Sequence, residues 1–337
     1  MVGRCFSLRF SLMTLAEPLH FPADLGTVAG VDIGGTKVAL TLADASGIRG
    51  RWTEPTAKEG APEALAEQIL RMLEQHGAQI GCTVEALSAV GVVSCGPFVR
   101  QSGMVALATP NICGGLAPAT EAERLPNNWT SVPLEAPLRA RIATLHLEND
   151  GIGALQAERR WGALRGADHC AYITWSTGIG VGVCVDGRPL RGKNGNAGHW
   201  GHSFVREDDS ALCGCGNRGD VESLIGGKAL ARRFASQGFA DAAALFGAAR
   251  AGQPQAQAIA EDVCSVMGRL VFNLVAGLDL ERISLGGSVF QHHQDFLLPR
   301  LQAQLQARMP AMTAGVKLCA AGLGDKVGDY AALALVL

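Results

Sequence analysis

The sequence is poor in features that mark whole classes of protein. Aromatic residues make up only 5% of its 337 residues, too few for a surface that stacks successive bases. Neither sign of charge dominates, with 29 Lys and Arg against 31 Asp and Glu and a formal net charge of −2. A chain drawn to nucleic acid or to an acidic membrane face carries a basic excess, so neither is expected as a partner. No apolar run approaches the roughly 20 residues that a membrane span needs. There is no Walker A loop, G-x-x-x-x-G-K-[ST], and no strand runs into the G-x-G-x-x-G turn of dinucleotide-binding folds. That argues against P-loop nucleotide hydrolases and Rossmann dehydrogenases.

The ten cysteines are scattered. Cys95, Cys184 and Cys264 stand alone in apolar runs, where a thiol packs as a small hydrophobe. Only Cys213 and Cys215 form a tight pair. Such usage in a chain of this length fits a reducing, cytoplasmic setting. The first 26 residues lack helix or strand periodicity. Arg4 and Arg9 interrupt their apolar stretch, and no clear cleavage site follows. They read as a poorly ordered extension, or as a preface to a start at Met13, rather than as a secretory signal.

Hydrophobic residues are plentiful at 48%, and glycine stands out at 43 residues. The chain can bury two cores of ordinary size. So much glycine means either many turns or backbone brought close to ligands. Val28 to Ile33 reads as a buried strand, Gly34-Gly35 as a turn, and Lys37 to Ala43 as a return strand, with a third strand over Ile48 to Thr53. A helix follows, with Leu65, Ile69, Met72 and Leu73 on one face and Gly77 as its stop. Ala89 to Ser94 is a strand, residues 100–135 are irregular, and Thr144 to Leu147 is a strand ending at Asn149-Asp150. The second half repeats the opening, with strand Ala171 to Trp175, glycine-rich turn Ser176 to Gly182 and return strand Val183 to Val185. A polar loop, helices including Ala256 to Leu278, strand Arg282 to Leu285 and a helix from Gly328 complete the chain. The expected fold is α/β, duplicated, with a cleft between halves.

Glycines at strand ends let backbone N–H groups approach an anion. The first turn offers Gly34 and Gly35 with Thr36 as hydroxyl donor and Lys37 as charge, and Asp32 is placed to hold a water or Mg2+ beside phosphates. The second offers Thr177, Gly178 and Gly180, and Gly286-Gly287 follows a later strand. Each alone also fits an ordinary hairpin or packing bend. Phosphoryl transfer to a hydroxyl needs a carboxylate to take its proton. Asp150, after a strand and before a helix, is the candidate, although Asn149 or Asp150 equally suits a helix cap.

Together these turns resemble the ROK family of sugar kinases and sugar-responsive repressors, in the actin/hexokinase-like superfamily. Asp32 to Lys37 match D-x-G-G-T-K, and Ser176 to Gly180 are similar to G-T-G-[IV]-G. The resemblance runs from about Ala29 to near the C-terminus. It implies a duplicated actin-like (ribonuclease H-like) fold with an N-terminal domain over 27–147, a larger C-terminal domain over 148–320, and a C-terminal helix over 321–337 packing back on the first domain. It implies ATP on Asp32, Gly34, Gly35, Thr36, Lys37, Thr177, Gly178, Gly180, Gly286 and Gly287, with Mg2+. It makes Asp150 the general base and Gly96, Asn111, Asn149, Asp150, His199, His202 and Glu222 the sugar wall, and Glu158 a structural residue. It also implies a homodimer.

The family's His followed by C-x-C-G-x-x-G-C-x-E is met by His202, Cys213, Cys215 and Glu222, while Asp220 stands where the third cysteine would be. The expected structural Zn2+ site is therefore His202, Cys213, Cys215 and Asp220. A second departure is His199, where most members have Glu. Ala-Gly-His-x-Gly-His, with Pro110-Asn111-Ile112-Cys113-Gly114-Gly115, is similar to bacterial N-acetylmannosamine kinases, and a histidine there adds a group that can donate. The expected activity is ATP-dependent phosphorylation of the 6-hydroxyl of N-acetylmannosamine, with glucose or another hexose as the alternative acceptor. The alternative from another class is a sugar-binding regulator without catalysis. About 26 residues before the first strand are too few for a repressor's winged helix.

Overall fold

The computed structural model describes residues 21–116, 125–208 and 210–337. The expectation for residues 1–20 lies outside them. Phe21 and Leu25 already pack against Val28, Ala43, Ala89 and Leu333, so the packed chain begins before the first strand.

The architecture is one five-stranded sheet built twice. Strands β1 (Val28–Ile33), β2 (Lys37–Asp44) and β3 (Gly47–Pro55) form an antiparallel meander. Strand β4 (Ala89–Ser94) lies parallel to β1. Strands β5 (Phe98–Gln101), β6 (Met104–Leu107) and β7 (Val132–Pro133) make a small side sheet, and β8 (Leu145–Asn149) returns parallel to β4. The second sheet repeats the plan with β9 (Cys170–Trp175), β10 (Ile179–Val185), β11 (Arg188–Pro189), β12 (Arg282–Gly286) and β13 (Lys317–Ala320). The orders are β3-β2-β1-β4-β8 and β11-β10-β9-β12-β13, position for position the same.

Burial explains the central strands. Val28, Ala29, Val31 and Ile33 of β1 are all buried, as in a strand covered on both faces. Helix Ala64–Gln79 closes one side with Leu65, Ile69, Met72 and Leu73. It runs through Gly77 instead of stopping there. A Cβ at Gly77 would lie 2.5 Å from the Cys82 carbonyl oxygen, so this glycine serves close packing. In the second half, helix Pro254–Leu278 turns Val263, Met267, Leu270, Val271 and Leu274 into the larger core.

Two helices join the sheets. Helix Asp150–Trp161 packs on β9 and β10, helix Val327–Leu333 packs on β1 and β4, and the two pack on each other. Both come to backbone contact. An ideal Cβ at Gly182 of β10 would sit 2.1 Å from the Gly151 carbonyl oxygen, and one at Gly91 of β4 would sit 2.1 Å from that of Ala332. Gly180 and Gly182 therefore belong to strand β10, and the turn expected over Ser176 to Gly182 ends at Gly178.

Glu158 locks this arrangement. Its carboxylate is fully buried and accepts the backbone N–H of Ala163 at 2.7 Å, Gly322 at 3.0 Å and Leu323 at 2.9 Å. It thus ties the first connecting helix to the segment that leads into the second. A buried carboxylate is tolerated when such donors replace its water. Glu158→Ala removes the acceptor of three backbone N–H groups, that of Leu323 buried, and is expected to lower unfolding stability by about 3 kcal/mol. Glu158→Gln, which keeps one acceptor oxygen, should lose roughly half as much. Thermal and urea unfolding of both variants checks this, and a wild-type midpoint in the alanine variant would remove the assigned role.

Candidate active site

A cleft of about 460 Å³ opens between the two sheets, walled by the ends of β4, β8, β9 and β10 and by the loop from Gly198 to Cys215. Asn149 and Asp150 stand at its base. Asn149 Oδ1 accepts the Gly151 N–H at 3.0 Å and caps the helix, and its amide donates to the Ser94 carbonyl at 3.4 Å. The capping role and the cleft-facing position thus coexist in Asn149. Asp150 is the first helical residue, with its own Oδ1 2.8 Å from the Gly151 nitrogen. Burial pushes the Asp150 carboxyl above the usual carboxylate range, against the lowering pull of the Gly151 N–H and of nearby His199. A carboxylate of raised pKa is a better proton acceptor than an ordinary aspartate.

The glycine turns flank this carboxyl. Gly34 and Gly35 line the cleft from one side and Thr177, Gly178 and Gly180 from the other. The first turn is closed by Gly34 N–H to the Lys37 carbonyl at 2.9 Å and buttressed by the Thr56 hydroxyl on the Gly34 carbonyl at 2.8 Å. An ideal Cβ at Gly35 would lie 2.9 Å from the Asn111 Cβ, which brings the first phosphate turn beside an expected sugar contact. Thr36 and Lys37 are exposed at the tip and do not line the cleft. Gly286 ends β12 beside Thr174 of β9 and Gly287 follows it, with ideal Cβ positions 2.7 Å from the Tyr172 hydroxyl and 2.5 Å from the Trp175 carbonyl oxygen. Close packing accounts for both glycines in this geometry.

Asp32, at the end of β1, is pushed up to about 7 by burial first, then by the carboxylates of Asp150 and Asp329, with Lys37 and Arg51 offsetting part. Gly328 makes room for it, since a Cβ there would lie 2.8 Å from Asp32 Oδ2. A buried carboxylate crowded by two others suits a hard cation or its hydration shell.

The sugar-side residues come from both lobes. Gly96, Asn111, Asn149, His199, His202 and Glu222 all line the cleft. Glu222 Oε2 accepts the Ile179 N–H at 2.8 Å, and Gly178 leaves the space, since a Cβ there would fall 2.4 Å from that oxygen. The His199 Nδ1 lies 3.1 Å from the Asn196 carbonyl, so that nitrogen carries the proton and donates. Burial lowers the His199 pKa, and the neutral ring then presents Nε2 as an acceptor. The expectation of a new donor at this position is corrected. The donor is engaged by the loop backbone, and what faces Gly96 is a neutral acceptor. A Cβ at Gly96 would lie 2.6 Å from that nitrogen.

His202, Cys213, Cys215 and Asp220 converge with one donor atom each, all within 4.8 Å of one another. His202 Nδ1 is 3.0 Å from Asp220 Oδ2 and 3.6 Å from Cys213 Sγ, and Cys215 Sγ is 3.4 Å from Asp220 Oδ2. One nitrogen, two sulfurs and one carboxylate oxygen at this spacing fit a tetrahedral Zn2+. Asp220 is held by other bonds as well, accepting the Ser223 N–H at 2.8 Å as the cap of helix Val221–Ile225. That cap sets Glu222 two residues on, facing the cleft.

Thr109, Lys228 and Arg232 also line the cleft and were not anticipated. Asn196 was missed too. Its side chain pairs with the backbone of Phe98 in both directions, at 2.8 Å each, and fastens the His199 loop to the first lobe. A lone asparagine in a polar loop carries no pattern that would mark it.

Residues 28–337 match the sequence model of the ROK family. An N-acetylmannosamine kinase of Escherichia fergusonii is 33% identical over 270 residues, 78% of this chain and 83% of its own. Among solved structures, a ROK hexokinase from Thermus thermophilus superposes with a TM-score of 0.71 at 30% identity, covering 92% of this chain and 98% of that one. A ROK family glucokinase from Streptomyces griseus, solved with glucose and AMPPNP, gives 0.62 at 25% identity, covering 91% and 98%.

The raised Asp32 pKa has a stability consequence. The folded protein holds this proton more tightly than the unfolded chain, so stability falls as pH rises from about 4 through 7. Asp32→Asn removes the titration. Without ligands it is expected to melt roughly 2–4 °C above wild type at pH 8, with the gap closing below pH 4. A variant less stable than wild type at pH 8 would contradict this.

Proposed function

The chain belongs to the ROK family and is an ATP-dependent carbohydrate kinase, and we propose that it phosphorylates the 6-hydroxyl of N-acetylmannosamine. The observation that carries the sugar choice is His199. It offers a neutral acceptor beside Asp150, matched to an acetamido N–H, where a glutamate would bring a charge. The Escherichia fergusonii N-acetylmannosamine kinase supports the same choice. Glucose is the second reading, favoured by the likeness to a glucokinase solved with that sugar.

In this reading Asn149, His202 and Glu222 hold the ring hydroxyls, His199 takes the acetamido N–H, and Asn111 closes over them from the first lobe. Asp150 takes the proton of the 6-hydroxyl as its oxygen bonds to the γ-phosphorus. The bond from that phosphorus to the bridging oxygen breaks, and ADP leaves with the electron pair. Backbone amides of the turns at Gly34-Gly35 and Thr177-Gly178 oppose the charge on the moving phosphoryl group. Asp32 is suited to hold Mg2+ through its hydration shell, and the ion's contribution is to neutralise phosphate charge. His202, Cys213, Cys215 and Asp220 would hold Zn2+, which fixes the loop and presents the other histidine nitrogen to the sugar.

The same reading divides the chain into lobes over 27–147 and 148–320, with 321–337 closing back on the first sheet. It places the protein in the cytoplasm as a homodimer acting on small molecules, with no nucleic-acid or membrane partner.

Asp150→Asn is expected to lower kcat at least about 10³-fold with sugar affinity within threefold of wild type, measured by coupled ADP release and by titration of the sugar. Substantial turnover in this variant would sink the general-base assignment. Across N-acetylmannosamine, glucose, mannose, fructose and N-acetylglucosamine, the highest kcat/KM should fall on N-acetylmannosamine. A higher value for glucose would overturn the His199 argument. Elemental analysis of the purified protein should find one zinc per chain. Cys213→Ala should lose the metal and melt several degrees lower, whereas a metal-free wild type of equal stability would contradict the site.

A further inference from the structure

The cleft has an uneven charge inventory. Among the described residues that line it, the only Lys or Arg side chains are Lys228 and Arg232, against the carboxylates of Asp150 and Glu222. A nucleoside triphosphate brings about four negative charges into such a space, more than backbone dipoles and one divalent cation balance. The lysine expected to serve, Lys37, lies outside the cleft lining.

Lys228 is held in place by its backbone. Helix Gly227–Phe234 begins against the second glycine turn. The Gly227 N–H donates to the Ser176 carbonyl at 2.7 Å, and the Lys228 N–H to the Thr177 carbonyl at 3.1 Å. That approach depends on glycine, because a Cβ at Gly227 would lie 2.6 Å from the Ser176 carbonyl oxygen. The Lys228 side chain is exposed and forms no ion pair among the described residues. Arg232 lies one helical turn on and donates to the Leu212 carbonyl, so its guanidinium serves the loop that carries Cys213 and Cys215.

We propose that Lys228 is the phosphate-binding cation of this cleft, its ammonium pairing with the terminal phosphates of the nucleotide lying on the second glycine turn. The assignment rests on the kinase reading for the identity of the ligand, and it specifies which phosphates Lys228 touches. The charge acts on the polyphosphate tail and leaves adenosine recognition to other groups.

The test titrates ADP and AMP onto the full-length wild type, Lys228→Met and Lys228→Arg, alongside steady-state kinetics. Methionine keeps the length and apolar stem without the charge. Lys228→Met is expected to weaken ADP binding and to raise KM for ATP by roughly tenfold, with AMP affinity and KM for the sugar within twofold of wild type. Lys228→Arg should recover most of the loss. A methionine variant that binds ADP as tightly as wild type, or one that loses AMP and ADP affinity equally, overturns the proposal, as does a wild type that binds no ADP. Equal sugar affinity and melting temperature separate a binding defect from a folding defect. A wild type that binds ADP yet releases none with any sugar would remove the kinase reading, while the ADP titration would still decide the role of Lys228.

Discussion

The contact of the Gly151 carbonyl with Gly182 governs the geometry of the whole centre. A side chain at residue 182 would push helix Asp150–Trp161 off the second sheet, and the first turn of that helix carries Asp150. The helix leaves strand β8 of the first sheet and lies on β9 and β10 of the second, so the base of the cleft is made of one continuous backbone shared by both lobes. Glu158 fixes the far end of the same helix to residues 322 and 323. The reacting carboxyl is thus placed by packing and by a buried anion, on an element with little freedom to drift.

Carboxylates dominate the electrostatics of that base. Asp32 and Asp150 both lie above the ordinary carboxylate range, chiefly through burial, and the Asp150 carboxylate adds to the rise at Asp32. Like charges held close cost stability and are retained where chemistry uses them. The net charge of −2 conceals this, because surface ion pairs such as Arg71 with Glu54 and Arg250 with Asp295 balance the total while the cleft floor stays acidic. A nucleotide bound with a metal ion, as proposed, would bring the missing positive charge and anionic phosphates together.

Much of the fold could be read directly from residue patterns. The strand, glycine turn and return strand at Val28 and again at Ala171 revealed the duplication, and Asn149-Asp150 and the His202–Glu222 run located part of the cleft wall. Failures came where glycine has two meanings. Gly77 sits inside a helix and Gly182 inside a strand, because each meets a neighbouring backbone that only the tertiary structure brings near. The side sheet of β5, β6 and β7 was unreadable within a Pro- and Asn-rich stretch, since its strands are two to four residues long. The chemistry of His199 was half legible. Its identity marked the site, but the role of each nitrogen depends on the Asn196 carbonyl, a backbone group that leaves no trace in the residue pattern. Of the 43 glycines, those that matter most divide between turns facing the cleft and close helix contacts, and composition alone does not separate the two.

Glu222 binds two things at once. One carboxylate oxygen accepts the Ile179 amide beside the second glycine turn, while the side chain lines the cavity in which the sugar is expected. Whatever draws electron density or position from that carboxylate alters the amide it holds, and the turn at Thr177-Gly178 is built on that amide. Thermodynamic linkage then runs in both directions with a single coupling free energy. If sugar and nucleotide bind as proposed, occupancy of the acceptor pocket would tune affinity for the nucleotide, and nucleotide occupancy would tune the acceptor pocket by the same factor.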